Sequence, residues 1–139
     1  QRIPMKTVCI ISEGNTLGKK KFITPEDLIN EPMIHSRRDS AFYRKLEEVF
    51  TLHKVKINSW IETRQFNSAC MLVAEGRGVS IVSEMDAREY ESRGLIIKPF
   101  RPVIPHTLML VRPKHTALST IALEFLDFFE SSLEPFRLK

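Results

Sequence analysis

The sequence predicts an α/β fold with a mostly parallel sheet. Three observations carry that prediction. Short apolar runs recur along the 139 residues, with segments of helical periodicity between them. Residues 62–84 show the repeating unit most clearly, as polar loop, helix, glycine stop, buried strand and polar loop. Those polar loops fall at strand ends, the place where open α/β folds bind ligands.

Thr7-Val8-Cys9-Ile10-Ile11 reads as a buried strand, broken by Glu13-Gly14-Asn15. Thr24-Pro25-Glu26-Asp27-Leu28 starts a short helix, with a capping threonine, proline at the first helical position and two acids at the positive dipole end. Pro32-Met33-Ile34-His35 is a short strand, and the polar loop Ser36–Ser40 ends in a helix cap. The helix that follows sets Phe42, Leu46, Val49 and Phe50 on one face. Residues 57–62 alternate apolar and polar, as a half-exposed strand does. Asn67 or Ser68 can cap the next helix, whose apolar face is Phe66, Ala69, Cys70 and Val73. Gly76 can take the left-handed conformation that stops it, and Gly78 lets the chain turn into the strand Val79–Val82. Ser83 and Asp86 read as a capping box for a helix ending near Gly94. Leu95–Lys98 and Thr107–Val111 are strands joined by a proline-rich link. A last amphipathic helix presents Leu118, Ile121, Ala122, Phe125 and Phe129, a broad apolar face that needs a partner.

Composition narrows the function. The length suits one domain with its own core, and the net charge of +4 is mild and scattered. Lys19-Lys20-Lys21 and Arg37-Arg38 are the only tight basic groups. Neither forms the basic stripe with interleaved stacking residues that a nucleic-acid surface needs. No apolar run is long enough to span a bilayer, and the start lacks a secretory pattern. Cys9 and Cys70 read as buried free thiols, which points to the cytoplasm. The four histidines show no zinc-site spacing and read as structural or solvated, so no metal is expected. No nucleophile elbow, phosphate loop or dinucleotide fingerprint occurs, so no cofactor and no enzyme chemistry are expected.

Two loops have the makings of ligand contacts. The first is His35–Ser40. Its backbone N–H groups suit an anion, Ser36 and Ser40 add hydroxyls, and Arg37 or Arg38 can hold a carboxylate in a bidentate way. Asp39 reads equally well as a helix cap. The second is Glu62–Asn67, where Thr63 and Asn67 can give directional bonds and Phe66 an apolar wall. A surface loop with a core phenylalanine explains the same residues.

The order of motifs resembles that of LysR-type transcriptional regulators. Thr24-Pro25-Glu26-Asp27-Leu28 with Glu31-Pro32-Met33-Ile34 is similar to their T-x-x-D-L and x-P-x-I segment. Val73–Ser83 is similar to their V-x-x-G-x-G-[IV]-x-[LI]-[LV]-P segment, and Leu118–Phe129 to the helix ending their effector domain. The resemblance implies a periplasmic-binding-protein type 2-like fold, with two α/β subdomains and a small-molecule effector in the cleft. It implies a bacterial cytoplasmic tetramer that binds promoter DNA through an N-terminal winged helix-turn-helix. That element has no counterpart in this chain, nor has most of the first effector subdomain, because Pro4-Met5-Lys6-Thr7 resembles the crossover into the second. Residues 1–113 are then the second subdomain, and 114–139 the C-terminal helix that packs on the first. Two positions depart from the pattern: Ser83 stands for the usual proline, and Asn15 for the usual histidine.

Carried over, the cleft wall is Ser36, Arg37, Asp39, Ser40, Thr63, Phe66, Asn67 and Ser83. Residues 62–67 also resemble the stretch found in regulators that sense opines, the amino-acid–keto-acid conjugates. Arg37 and Asp39 together suit the two charges of an amino-acid-like effector. A transporter's solute-binding protein is the alternative reading, and an enzyme using Cys70 a third.

Overall fold

The computed structural model describes residues 1–139. Seven strands and four α-helices follow one another, with short 3-10 turns between some of them. They are β1 (Arg2–Pro4), β2 (Thr7–Ser12), β3 (Met33–Ser36), α1 (Ala41–Leu52), β4 (Ser59–Thr63), α2 (Phe66–Ala74), β5 (Ser80–Ser83), α3 (Glu84–Arg88), β6 (Leu95–Pro99), β7 (Thr107–Met109) and α4 (Thr120–Leu133).

The main sheet runs β4-β3-β5-β2-β6. β3 and β4 are parallel, with Ser36 opposite Thr63. β3 meets β5 through a parallel bridge, Met33 to Val79, with Ile34 N–H donating to the Val79 carbonyl at 2.8 Å. β2 is antiparallel to both β5 and β6. Four strands therefore point one way and β2 runs against them. The expected alternation is present, but the middle of the sheet is antiparallel.

β2 reads as an unbroken apolar run because both faces of the sheet are covered. Cys9 and Ile11 enter one core with Leu46 and Phe50 of α1. Val8 and Ile10 enter the other with Ala69, Cys70 and Val73 of α2 and Ala87 of α3. Each fully buried aliphatic or aromatic side chain contributes roughly 1.5–3 kcal/mol. β4 lies at the sheet edge, and Trp60 is 52 % exposed there.

Local chemistry sets the helix ends. The Ser40 hydroxyl accepts from Tyr43 N–H at 3.1 Å and opens α1, whose buried stripe is Tyr43, Leu46 and Phe50. Phe42 and Val49, expected on that face, flank it half-buried. α2 begins two or three residues earlier than the Asn67 or Ser68 cap predicted. Gln65 holds the cap position, and Asn67 lies in the first turn, accepting from Ser68 N–H at 2.9 Å. Gly76 ends α2 at φ 80°, in the left-handed region. Ser83 does precede α3, yet its hydroxyl makes no capping bond, so the expected box with Asp86 does not form. Thr24 and Asp27 do pair: the Asp27 carboxylate accepts from the Thr24 N–H at 2.9 Å.

β1 and β7 form a separate antiparallel ribbon. Two crossings join it to the sheet and run side by side, Met5 N–H donating to the His106 carbonyl at 2.9 Å. The tail after α4 lies along the first crossing. Lys6 N–H donates to Phe136 O at 2.8 Å, and Leu138 N–H to Pro4 O at 2.9 Å. Ile3, Met5 and Leu133 are buried here, with Phe129, Phe136 and Met85 against them. The opposite face of α4 is bare: Ile121 is 78 % and Phe128 74 % exposed. No helix is long and apolar enough to cross a membrane.

Candidate functional site

The strand directions gather hydroxyls along one edge. β3 ends at Ser36, β4 at Thr63 and β5 at Ser83, while β2 starts there at Thr7, opposite Ser83. Helices α1, α2 and α3 all begin just beyond this edge. Their unsatisfied N–H groups point to the same side, which favours an anionic or polar ligand.

The eight residues predicted from sequence all lie on this edge or in its loops. Ser40 donates to the Arg37 carbonyl at 2.6 Å and lies 3.4 Å from the Ser36 hydroxyl. Thr63 donates to the Gln65 carbonyl at 3.2 Å. Arg37 and Asp39 form an ion pair with each other at 2.6 Å, both well exposed. An exposed pair of this kind contributes little to stability. A ligand with two charges would have to part them. Ser83 is the outlier, 1 % exposed, with a hydroxyl that has no hydrogen-bond partner. A buried hydroxyl without a partner costs free energy.

Four further residues lie at this edge and were not among the eight. The Glu62 carboxylate accepts from Arg38 N–H at 2.7 Å and ties the two loops together. Thr7 donates to the Ile104 carbonyl at 2.9 Å and fixes the second crossing over the edge. Phe42, Phe66 and His106 form a mutually edge-on cluster. The Phe42–Phe66, Phe66–His106 and Phe42–His106 centroids are 5.0, 5.2 and 5.7 Å apart, with rings at 81–88°. Phe42 and Phe66 stand in the first turns of α1 and α2, so the cluster sits at the carboxyl edge. Burial holds the His106 imidazole below its ordinary pKa. The strand and cap patterns carry no sign of this cluster, because its members come from three separate segments.

The other histidines have plainer roles. His35 is buried, and its Nδ1 lies 2.8 Å from the Ser36 carbonyl. A carbonyl only accepts, so that nitrogen carries the proton. Its Nε2 lies 2.7 Å from the Ser59 hydroxyl, which also accepts from the Arg38 guanidinium at 3.0 Å. His53 pairs with Glu26 at the surface, at 2.7 Å.

The arrangement can bind but shows no activated group. Burial pushes the Cys70 thiol up to about 12, so it is not a thiolate at neutral pH. Cys9 is raised further, again by burial. No cluster of three or more His, Cys, Asp or Glu side chains is placed to hold a metal ion. An open groove of about 1030 Å³ lies beyond α1, lined by Arg38, Tyr43, Glu47, Lys54 and Ser59 among others. None of the eight predicted residues lines it, and its floor lacks the convergent helix ends of the carboxyl edge.

Comparison with known proteins gives the chain a family and its fold a precedent. Residues 4–134 match the model of the LysR substrate binding domain. The transcriptional activator protein LysR of Escherichia coli K12 is 31 % identical over 131 residues, covering 94 % of this chain and 42 % of that protein. The regulatory protein NocR of Agrobacterium tumefaciens T37 is 28 % identical over 120 residues, covering 86 % and 40 %. The chain thus spans about two fifths of the curated relatives it matches. Among solved structures, the effector binding domain of QuiR in complex with shikimate superposes with a TM-score of 0.69. The identity is 17 %, with 91 % of this chain and 60 % of that one covered. The regulatory domain of CcmR from Synechocystis PCC6803, in complex with 2-PG, gives 0.70 at 19 % identity, covering 95 % and 66 %. The fold is therefore that of these regulatory domains, which is periplasmic-binding-protein type 2-like. The named relatives are regulators, which does not favour the solute-binding alternative. With nearly its whole length matched by that family model, the chain belongs to the LysR substrate-binding-domain family.

Proposed function

We propose that this chain is the effector-sensing part of a bacterial transcriptional regulator. It binds a small carboxylate or amino-acid-like metabolite at the carboxyl edge. It passes that event to promoter DNA held by an N-terminal winged helix-turn-helix outside this chain. The protein works in the cytoplasm, self-associates as a dimer or tetramer, and catalyses no reaction.

The observation that supports the reading best is the edge itself. Ser36, Thr63 and Ser83 end three neighbouring parallel strands, and three helices begin beside them. Arg37, Asp39, Ser40, Phe66 and Asn67 complete the wall. The Arg37–Asp39 pair offers both charges of an amino acid a partner once it opens.

The division into a second subdomain and a helix that packs on the first is part of the same proposal. The bare face of α4 supports it, with Phe125 60 % and Phe128 74 % exposed. The packing of Ile3 with Leu133 groups the β1–β7 ribbon with that helix. The seam is therefore drawn at the two crossings, near residues 5 and 106, instead of at 113.

Switching would follow from population shift. An effector that bridges the two subdomains favours one arrangement of them by its difference in affinity for the two. Calorimetric titration of the full-length protein tests the site. The titrants are the twenty L-amino acids, succinate, and the N-(1-carboxyethyl) conjugates of arginine and lysine. Arg37→Ala, Asp39→Ala and Asn67→Ala should each weaken the best binder by about tenfold or more. Unchanged affinity in all three variants would remove this wall from the site.

A further inference from the structure

The second crossing brings one side chain to the edge that the functional reading has not used. The ring of His106 stands against Phe42 and Phe66, the first-turn residues of the two helices that frame the ligand loops. Its ring nitrogens have no hydrogen-bond partner in the protein, while its backbone carbonyl accepts from Met5 N–H at 2.9 Å. These nitrogens are not sealed from solvent, since the Ser83 hydroxyl is the one buried side-chain polar atom without a partner, so they stay open to a ligand. By contrast, His35 has protein partners on both ring nitrogens and His53 on one. The two phenyl rings offer packing but no strong acceptor or donor.

We propose that His106 is a contact residue of the effector site, hydrogen-bonding the carboxylate or hydroxyl head of the ligand and passing that contact into the crossings through its own backbone. The inference rests on the carboxyl-edge reading above and deepens it. Arg37, Ser36 and Thr63 lie on loops and strand ends of the sheet, so a ligand touching them alone stays within one unit. His106 differs because its residue is also part of the second crossing. A ligand held by His106 and the edge loops together restrains the crossing against the sheet. The cluster also sets the shape of the ligand: an apolar or planar segment must lie against Phe66 while the polar head reaches the imidazole. Burial lowers the imidazole's proton affinity, which keeps both a donor and an acceptor nitrogen available at neutral pH.

The test uses the full-length protein and the same panel of amino acids, succinate and carboxyethyl conjugates. In the unaltered protein the tightest binder should shift the His106 ring nitrogen resonances and slow exchange of the Met5 amide. His106→Phe keeps an edge-on ring and loses both nitrogens, and should weaken that binder by about tenfold. His106→Gln keeps hydrogen bonding and should retain affinity within about threefold. An unmoved His106 resonance with a bound probe overturns the inference without any variant, and so does full affinity in His106→Phe. Either result leaves the site reading standing. If no member of the panel binds the unaltered protein, the amino-acid or carboxylate reading falls, and this inference falls with it.

Discussion

Gly78 lies against the carbonyl of Pro32 so closely that a methyl group on its Cα would overlap the oxygen. That carbonyl also accepts the Val79 N–H at 3.0 Å, so it cannot easily move aside. The contact is what lets the chain leave α2 and enter β5 directly beside β3. Gly78 also has φ 147°, where side chains are rarely accommodated.

Gly78→Ala should therefore destabilise the chain by about 2–4 kcal/mol, combining overlap with backbone strain. Gly76→Ala is the comparison. Its φ is 80°, but nothing lies within 4 Å of an added methyl, so about 1 kcal/mol is expected. Urea denaturation of both variants gives the two numbers, and equal losses would count against the Pro32 contact.

Ser83→Ala should leave the protein as stable as before or up to about 1 kcal/mol more stable, because the lost hydroxyl has no partner. The same change tests Ser83 as a ligand contact: its hydroxyl is closed to solvent, so weaker effector binding would require the edge to open around it. Thermal melts and calorimetry on one preparation separate the two effects. A clear loss of stability would show that Ser83 has a structural partner after all.

Asp86 gives a pH test. Burial raises its carboxyl pKa, and the nearby Glu89 adds to the shift. The folded state then holds a proton more readily than the unfolded one. Stability is lost as pH rises from the ordinary 3.8 through the folded value. Asp86→Asn should raise Tm by about 1–4 °C at pH 7, with the gain fading below pH 3.8. Asp27 should show the reverse. Burial raises its pKa, but hydrogen bonds from Lys20 and Thr24 outweigh it and the net direction is down. Its stabilisation is present at neutral pH and fades in acid, so Asp27→Asn should lower Tm at pH 7.

Phe125 and Phe128 form an apolar surface on α4 with Ile121, all three well over half exposed. The isolated chain should self-associate with rising concentration, as contiguous apolar patches of this kind do. Phe125→Glu with Phe128→Glu should give a monomer by sedimentation velocity. A monomeric unaltered chain at high concentration would mean the helix covers itself by another route.

Much of the fold can be read from the chain because its rules are local. Strand β2 is apolar throughout because both faces are covered, and Gly76 stops α2 as its position suggests. Strand direction has no such signature, so the reversed β2 came only with the structure. The capping residues show the same limit. Asn67 and Ser83 have the right chemistry for caps, but Gln65 takes one position, and Ser83 faces inward at the other without a bond. At the site, the loops at strand ends could be found by pattern. The Phe42–Phe66–His106 cluster could not, since contact between three distant segments leaves no trace in spacing.

The chain enters and leaves its sheet through neighbouring strands, Met5 and His106 sharing a hydrogen bond at 2.9 Å. Most of what lies between them packs in two cores of its own, with Lys6 and Met85 reaching back to the ribbon and the tail. The sheet is thus a module with a paired plug. It can in principle be lifted from one protein and spliced into a surface loop of another, where ligand occupancy would report through the two adjoining ends.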